Sequence, residues 1–383
     1  MVLQVIKIFS VISLLFSSGC FFKSEEGTLL HILENKYANL VVGEPRKREV
    51  IKEVKELIAA KKTLKNNFAS YEKVIKKIGD AHLSLEPVPT PKTFYSNLKL
   101  EIENSVWIIR ENQKRKRLVK IDGVDYAEWA SKNSQRVFAS SFHGRRYRTL
   151  KLLEGHHFKD LIINQVELED GEVIDLKWSS TKKETSCISG KAHDEKNFIL
   201  KVSSFWCDEG KSKRKDIFEN FKRRLDETLK LSKGHKNIIL DLRDNGGGGD
   251  DEVRYLLSKL ISKKAFLYTY QFVGKKKITE HIEPAKDSIG HKNITVLING
   301  GCFSACEVVT SVLKLSEARA IIGERTHGGA GDPLYQEFKN SKLTYPSCVV
   351  WQEDGSLYEG VGVAPTIEGD GESLKKAFLL SSQ

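Results

Sequence analysis

Apolar residues from Glu49 onward recur at helical spacing, at Val50, Val54, Leu57, Leu64, Phe68, Tyr71, Val74 and Ile78. Lysines and glutamates fill the gaps, and Gly79 closes the run as a C-cap would, so the pattern predicts a helical N-terminal region. "GDAHLSLEP" follows, with His82 just ahead of a short strand that Pro87 ends. Residues 98–180 change character. "KLEIENSVWIIRE" and "KRLVKIDGVDY" read as strands, the second with Asp122-Gly123 as a turn. "DYAEWASKN" reads as a short helix and "IINQVELEDGEVIDLKW" as a further hairpin. This stretch carries no chemistry that its residues identify.

From about residue 190 strands and helices alternate. "NFILKVSSF" is a strand, and "DIFENFKRRLDETLKL" is an amphipathic helix with Ile217, Phe221, Leu225 and Leu229 in register. "NIILDL" is a continuous apolar strand, "DDEVRYLLSKLI" a helix, "NITVLI" a buried strand, "EVVTSVLKL" a helix and "RAIIG" a strand. Continuous apolar strands between amphipathic helices imply a largely parallel sheet covered by helices, with sites at the carboxyl ends of its strands. The expected divisions are a leader over 1–20, a helical N-terminal region over 21–97, a β-rich middle domain over 98–190 and an α/β core over 191–383.

The chain of 383 residues is 40% hydrophobic and 30% charged, as a soluble globular protein is. Its first twenty residues differ. "KIFSVISLLFSSGC" sets Lys7 before an apolar run too short to span a bilayer, then small residues ending at Cys20. That is the layout of a secretory signal. A cysteine after Ser-Ser-Gly resembles a bacterial lipoprotein cleavage site, with Cys20 lipidated, although Ser17 stands where an aliphatic residue is usual. The other reading is an ordinary signal with an incidental cysteine. Either way an exported protein is expected, and lipidation would place it on an envelope membrane, facing the periplasm or the exterior.

A formal charge of +11 sits in separate runs, "KRKR" at 114–117, "RRYR" at 145–148, "KSKRK" at 211–215 and "KKK" at 275–277. No nucleic-acid-binding module surrounds them, so each reads as a solvated loop or helix face, and together they suit an anionic membrane surface. Past Cys20 the cysteines are Cys187, Cys207, Cys302, Cys306 and Cys348. An odd number without CxxC spacing argues against a zinc site and a full disulfide framework, so Cys302 and Cys306 are expected to be small packing residues. Asp244, Asp250 and Asp251 read as cap and loop acids, and no metal or cofactor is called for.

Two strand ends hold the candidate chemistry. In "NGGCFSACE" (299–307), Ser304 stands between a buried strand and a helix, where it is either an N-cap or a nucleophile at the positive end of a helix dipole. In "LDLRDNGGGGDDE" (240–252), Gly246 to Gly249 let the backbone approach a ligand and offer N–H groups. The run has neither phosphate-loop pattern, which leaves an oxyanion hole or a flexible loop.

"NIILDLRDNGGG", "VLINGGCFSACE", "IIGERTHGGAG" and "EGVGVAPTI", in this order, resemble the core of the C-terminal processing (tail-specific) and tricorn serine-peptidase family, over about residues 195–370. The resemblance implies a crotonase-like or ClpP-like layered α/β core, no cofactor, and protein or peptide substrates. It implies Ser304 as nucleophile, with the Ala305 amide and one from the Gly246–Gly247 turn binding the oxyanion. The tail-specific branch uses a lysine base in a slot that holds Gly329 here, so a Ser-Lys dyad is excluded. The tricorn-like branch takes a histidine from a motif before the middle domain, which His82 matches, and a glutamate from the "EGVGV" motif, which is Glu359. His327 in "RTHGG" is the rival base, and Glu359 also fits a turn or ion-pair residue. The middle domain would then be a degenerate PDZ-like, substrate-binding module. Two other functions are carried: a catalytically silent peptide-binding lipoprotein with this fold, and an acyl-transfer or hydratase enzyme of crotonase-like architecture, for which no coenzyme A site is evident. No oligomeric state follows.

Overall fold

The computed structural model describes residues 24–42, 49–109, 115–181, 186–208, 210 and 213–381. The leader and Cys20 lie outside the described residues, as do Lys114, Lys211 and Ser212 of the basic runs. Among the described residues no helix is long and apolar enough to cross a membrane.

The N-terminal region is helical: α1 (Glu25–Asn35), α2 (Ala38–Val41), α3 (Glu49–Ala59) and α4 (Phe68–Lys76). The apolar run from Glu49 to Ile78 is helical in two pieces, with a break between α3 and α4. Lys61 turns to φ 53°, and Leu64 folds inward to be buried, its N–H donating to Glu26 Oε1 at 2.5 Å. Gly79, at φ 66°, ends the region as expected.

Strand β1 (Ser84–Pro87) follows His82. It does not pair locally. Its partner is the distant β18 (Ser341–Pro346), antiparallel with Leu85 opposite Leu343. Beneath this pair Leu29, Leu33, Val54, Tyr71 and Ile75 form one buried cluster with Leu83, Leu85, Leu343 and Tyr345. The N-terminal helices therefore share their core with the C-terminal half of the chain.

The middle region holds β2 (Phe94–Tyr95), β3 (Leu100–Ile102), β4 (Val106–Ile109), β5 (Arg115–Ile121), β6 (Val124–Asp125), α5 (Tyr126–Asn133), α6 (Phe142–Lys151), β7 (Gly155–His156), β8 (Gln165–Leu168) and β9 (Val173–Asp175). Strands β3, β4, β5, β8 and β9 form an antiparallel sheet with β6 on β5, and β2 pairs β7. Asp122 and Gly123 both take positive φ, the conformation of a two-residue hairpin turn.

The core begins at β10 (Ile188–Ala192) and continues through β11 (Asn197–Val202), α7 (Arg214–Leu231), β12 (Asn237–Asp241), α8 (Asp250–Leu260), the hairpin β13 (Ala265–Phe272) and β14 (Ile278–Ile282), β15 (Asn293–Ile298), α9 (Ala305–Ser316) and β16 (Ala318–Gly323). It ends with β17 (Pro333–Glu337), β18, β19 (Cys348–Trp351), β20 (Ile367–Glu368) and α10 (Ser373–Ser381). The central sheet runs β10-β11-β12-β15-β16-β20 and is parallel from β11 to β20, with β10 antiparallel at one edge. This is the layered α/β core expected. Strand β10 pairs β11, so residues 188–190 belong with the core sheet.

The middle region is fastened to this sheet by buried charge. At the end of β12, Arg243 donates to Asp241 at 2.9 Å, to Glu103 at 3.1 Å and to Glu101 at 2.5 Å. Glu103 also accepts from Gly371 N–H and Ser373 Oγ, both at 2.9 Å. Burial raises the Asp241 carboxyl, but Arg243 beside it wins and holds it at about 2. The expected solvated face at "RRYR" is corrected. These residues lie on α6, where Arg145 donates to the carbonyls of Ser134, Val137 and Ala139, and Arg146 to those of Glu103 and Asn104. Packed against carbonyls on several segments, this run cannot be a free basic face.

Leu343→Ala should lower the unfolding free energy by about 3 kcal/mol, read from the midpoint of a urea titration, because it empties space shared by two strands and the N-terminal helices.

Candidate active site

Strand β15 ends at Ile298, and the chain turns through Asn299, Gly300 and Gly301 into α9. A Cβ on Gly301 would run into the Tyr147 ring, so that turn needs glycine. Ser304 sits at φ 57°, ψ −118°, a strained conformation for a residue with a side chain, costing about 1–3 kcal/mol. The strain is held by specific bonds: Ser304 N–H donates to Gly329 O and Glu307 Oε2, both at 3.1 Å, and Ser304 O accepts the Glu307 N–H at 2.9 Å. The helix start thus uses the serine's backbone, which leaves its hydroxyl for another partner.

That partner is His82, whose Nε2 lies 3.0 Å from Ser304 Oγ, across 222 residues of chain. The imidazole stacks on Phe303 with centroids 4.3 Å apart. Asp80 holds the backbone beneath it. Its Oδ1 accepts the His82 N–H at 2.7 Å, and its Oδ2 accepts Tyr37 O–H at 2.6 Å and Asn39 Nδ2 at 2.7 Å. A ring nitrogen of His82 and one oxygen each of Asp80 and Glu359 lie within 4.8 Å of one another. Such a group could hold a metal ion by residue type. Here Asp80 is engaged by three donors and His82 Nε2 faces Ser304, an arrangement suited to moving a proton.

Burial pushes the His82 imidazole down to about 4; Asp80 pulls it up and Arg148 pushes it down again. At neutral pH the ring is therefore neutral and able to accept a proton. Arg148 of α6 reaches inward, its guanidinium 5.1 Å from the Phe303 ring and Nη1 donating to Phe138 O at 2.6 Å. Burial lowers it to about 10 while Asp80, Tyr147 and Glu359 raise it, so it stays charged beside the two carboxylates.

The glycine turn meets the serine. A Cβ on Gly247 (φ 96°) would lie 2.9 Å from Ser304 Cβ and 3.2 Å from Ala305 N, so only glycine leaves this space open. The Gly247 N–H itself donates to Asn245 Oδ1 at 2.8 Å. Gly247 is therefore corrected from an oxyanion donor to the residue that clears space beside Ala305, while Gly246 next to it stays exposed on the same turn. His327, the rival base, is buried against Gly144 and Phe303, its Nδ1 3.2 Å from Gly300 O. Burial holds it well below its ordinary value.

The cysteines depart from expectation. Cys302 and Cys306 form a disulfide, as do Cys187 and Cys207, and Cys348 is a buried free thiol. The elbow brings the Cα atoms of Cys302 and Cys306 to 5.3 Å, inside the range a disulfide spans. Asp80, Tyr37, Asn39 and Arg148 were not singled out from sequence. Only the proximity of Asp80 to His82 in "GDAH" was a signal, since the others arrive by tertiary folding.

The model of peptidase family S41 matches residues 199–369, the segment that carries the glycine turn, Ser304 and Glu359. Residues 199–369, under half of the chain, are thus similar to an S41 peptidase domain. A "Probable CtpA-like serine protease" of Staphylococcus aureus (strain N315) is 34% identical over 150 residues, 38% of this chain and 30% of that protein. Its counterpart in Staphylococcus haemolyticus is 29% identical over 136 residues, 34% of this chain and 27% of that protein. The matched stretch thus spans under a third of these relatives. Mature CPAF superposes over 93% of this chain and 94% of its own, with TM-score 0.67 and 14% identity. The photosystem II D1 C-terminal processing protease does so over 91% and 94%, with TM-score 0.53 and 15% identity. These structures share the fold. His82 lies outside the S41 segment and is brought to it by the β1–β18 pairing.

The His82 resonance should titrate by NMR with a midpoint near pH 4. Arg148→Met, which removes the nearby positive charge, should move that midpoint upward. Because the folded-state value is depressed below the unfolded one, the unfolded chain takes the proton first. Stability should therefore fall as pH drops from about 6.5 towards 4.

Proposed function

We propose that this chain is an exported serine endopeptidase that hydrolyses peptide bonds through an acyl-enzyme on Ser304. The observation that carries the reading is the 3.0 Å approach of a neutral, buried His82 Nε2 to Ser304 Oγ at the start of α9. The S41 match and the CtpA-like relatives support peptidase chemistry for this site.

In this reading the Ser304 oxygen attacks the substrate carbonyl carbon while its proton passes to His82 Nε2. The carbonyl oxygen gains charge beside the Ala305 N–H, which has no acceptor among the described residues, with Gly246 as the second donor. The imidazolium then protonates the leaving amine, the C–N bond breaks, and the acyl group remains on Ser304. Water enters, His82 takes its proton, and hydrolysis of the ester restores the serine. Glu359 and Asp80 stabilise the transient imidazolium, with Glu359 the carboxylate assigned to the triad.

Export rests on the leader sequence, and the two disulfides fit an oxidising compartment. Lipidation at Cys20 would tether the protein to an envelope membrane, and its middle sheet would be free to bind peptide.

The test is labelling by a fluorophosphonate probe, mapped by mass spectrometry. Wild type should label at Ser304; Ser304→Ala should not label, and His82→Ala should label at least about 100-fold more slowly. His327→Ala should still label. Labelling lost in His327→Ala but kept in His82→Ala would move the base to His327, and no labelling of wild type would defeat the reading.

A further inference from the structure

Glu307 is the third residue of α9 and is fully buried. A glutamate there often serves a helix end by accepting one amide, the N-cap's own. This one does more. Its Oε2 accepts the Ser304 N–H at 3.1 Å and the Gly329 N–H at 2.8 Å. Its Oε1 accepts the Gly328 N–H at 2.8 Å and the Thr326 hydroxyl at 2.5 Å. Three of the four donors belong to a loop that a helix cap has no need to reach.

That loop leads on to Glu359. Thr326 Oγ1 accepts the Val363 N–H at 2.7 Å, Thr326 N–H donates to Val363 O at 3.1 Å, and Gly360 N–H donates to Gly328 O at 2.9 Å. One carboxylate therefore ties together the strained serine, the 326–329 loop whose Gly329 carbonyl also takes the Ser304 N–H, and the segment bearing Glu359. We propose that Glu307 is a positioning residue for the nucleophile: its ionised carboxylate holds the Ser304 backbone at the angle that aims Oγ at His82, and registers the Glu359 segment against it. The assignment rests on the peptidase reading above.

Donor count favours the ionised form. Both oxygens face N–H groups that cannot turn away, so a proton on either oxygen would set donor against donor or free an amide. Burial pushes the Glu307 carboxyl up to about 7, against the pull of its hydrogen bonds from Thr326, Gly329, Gly328 and Ser304. The titratable groups on the segments it joins are His82 at Ser304, His327 on the loop, and Tyr358 and Glu359 beyond it. Of these His82 titrates far lower, at about 4, so the two acid limbs are separable.

The experiment compares fluorophosphonate labelling of Ser304 in wild type, Glu307→Gln and Thr326→Val across pH 4 to 9, with thermal unfolding alongside. For wild type the limiting labelling rate should fall as pH drops through about 7, where Glu307 takes a proton. Glutamine keeps the shape but turns an NH2 towards two donors. In Glu307→Gln the limiting rate should fall about 100-fold, the loss expected from misplacing a reacting atom by about 1 Å, with the half-saturating probe concentration within about threefold. Its acid limb should move down to that of His82. A helix cap alone would lower the melting temperature and leave that limb in place. A folded Glu307→Gln that labels at the wild-type rate, or keeps the limb near 7, overturns the assignment. If Glu307→Gln does not fold, Thr326→Val decides. Loss of one donor to the carboxylate should move the limb upward, and an unmoved limb overturns the proposal. A wild type that never labels defeats the peptidase reading itself, an outcome distinct from either.

Discussion

The contact between His82 and Ser304 joins residues 222 apart, and most of the architecture bears on it. Neither residue is placed by its own neighbours alone. Ser304 is set by a strand, a glycine turn and a helix, all within the S41 segment. His82 precedes a four-residue strand that could not persist unsupported, and its position depends on pairing with β18 and on the helices beneath both strands. The N-terminal region is thus half of the site.

Burial first, and Arg148 after it, keep the imidazole neutral at neutral pH. Burial alone would make a protonated ring costly throughout a reaction cycle. Asp80 pulls the other way, favouring the charged ring. Arg148, reaching in from the middle region, opposes it and stays charged beside Asp80 and Glu359. Burial with these charges leaves His82 neutral at neutral pH. Three parts of the chain must come together for this: the N-terminal region supplies Asp80 and His82, α6 supplies Arg148, and the C-terminal segment supplies Glu359.

The alternation of apolar strands with amphipathic helices made the central sheet legible, because a strand buried on both faces reads as an unbroken apolar run. The Asp122-Gly123 turn and the end at Gly79 were equally local. The break between α3 and α4 was not, since Leu64 continues the helical spacing yet lies past the end of α3, buried in the N-terminal cluster. Helix α6 went unread because "FHGRRYRTLK" looks solvated, and its arginines find their carbonyl partners only in three dimensions. The disulfides were missed for a related reason: the elbow that brings Cys302 to Cys306 is a backbone event that residue spacing does not announce. Within the site, Ser304 was visible from its junction. His82 and Glu359 came only from resemblance, and Asp80 and Arg148 came from neither.

The position of Gly329, which sequence resemblance matches to a lysine slot, is closely hemmed in. A Cβ placed on Gly329 would lie 2.6 Å from the Phe303 ring, 3.1 Å from Ser140 Oγ and 3.2 Å from Glu359 Oε2. Phe303 is itself held between neighbours, with His82 stacked on it and His327 4.6 Å away. The ring that supports the histidine therefore occupies the volume a lysine stem would need. Converting one kind of base to the other would require removing Phe303 as well as replacing Gly329, and without Phe303 His82 would lose the surface that aims it. As the chain is folded, a side chain at position 329 and the Phe303 ring that stacks with His82 would compete for the same space.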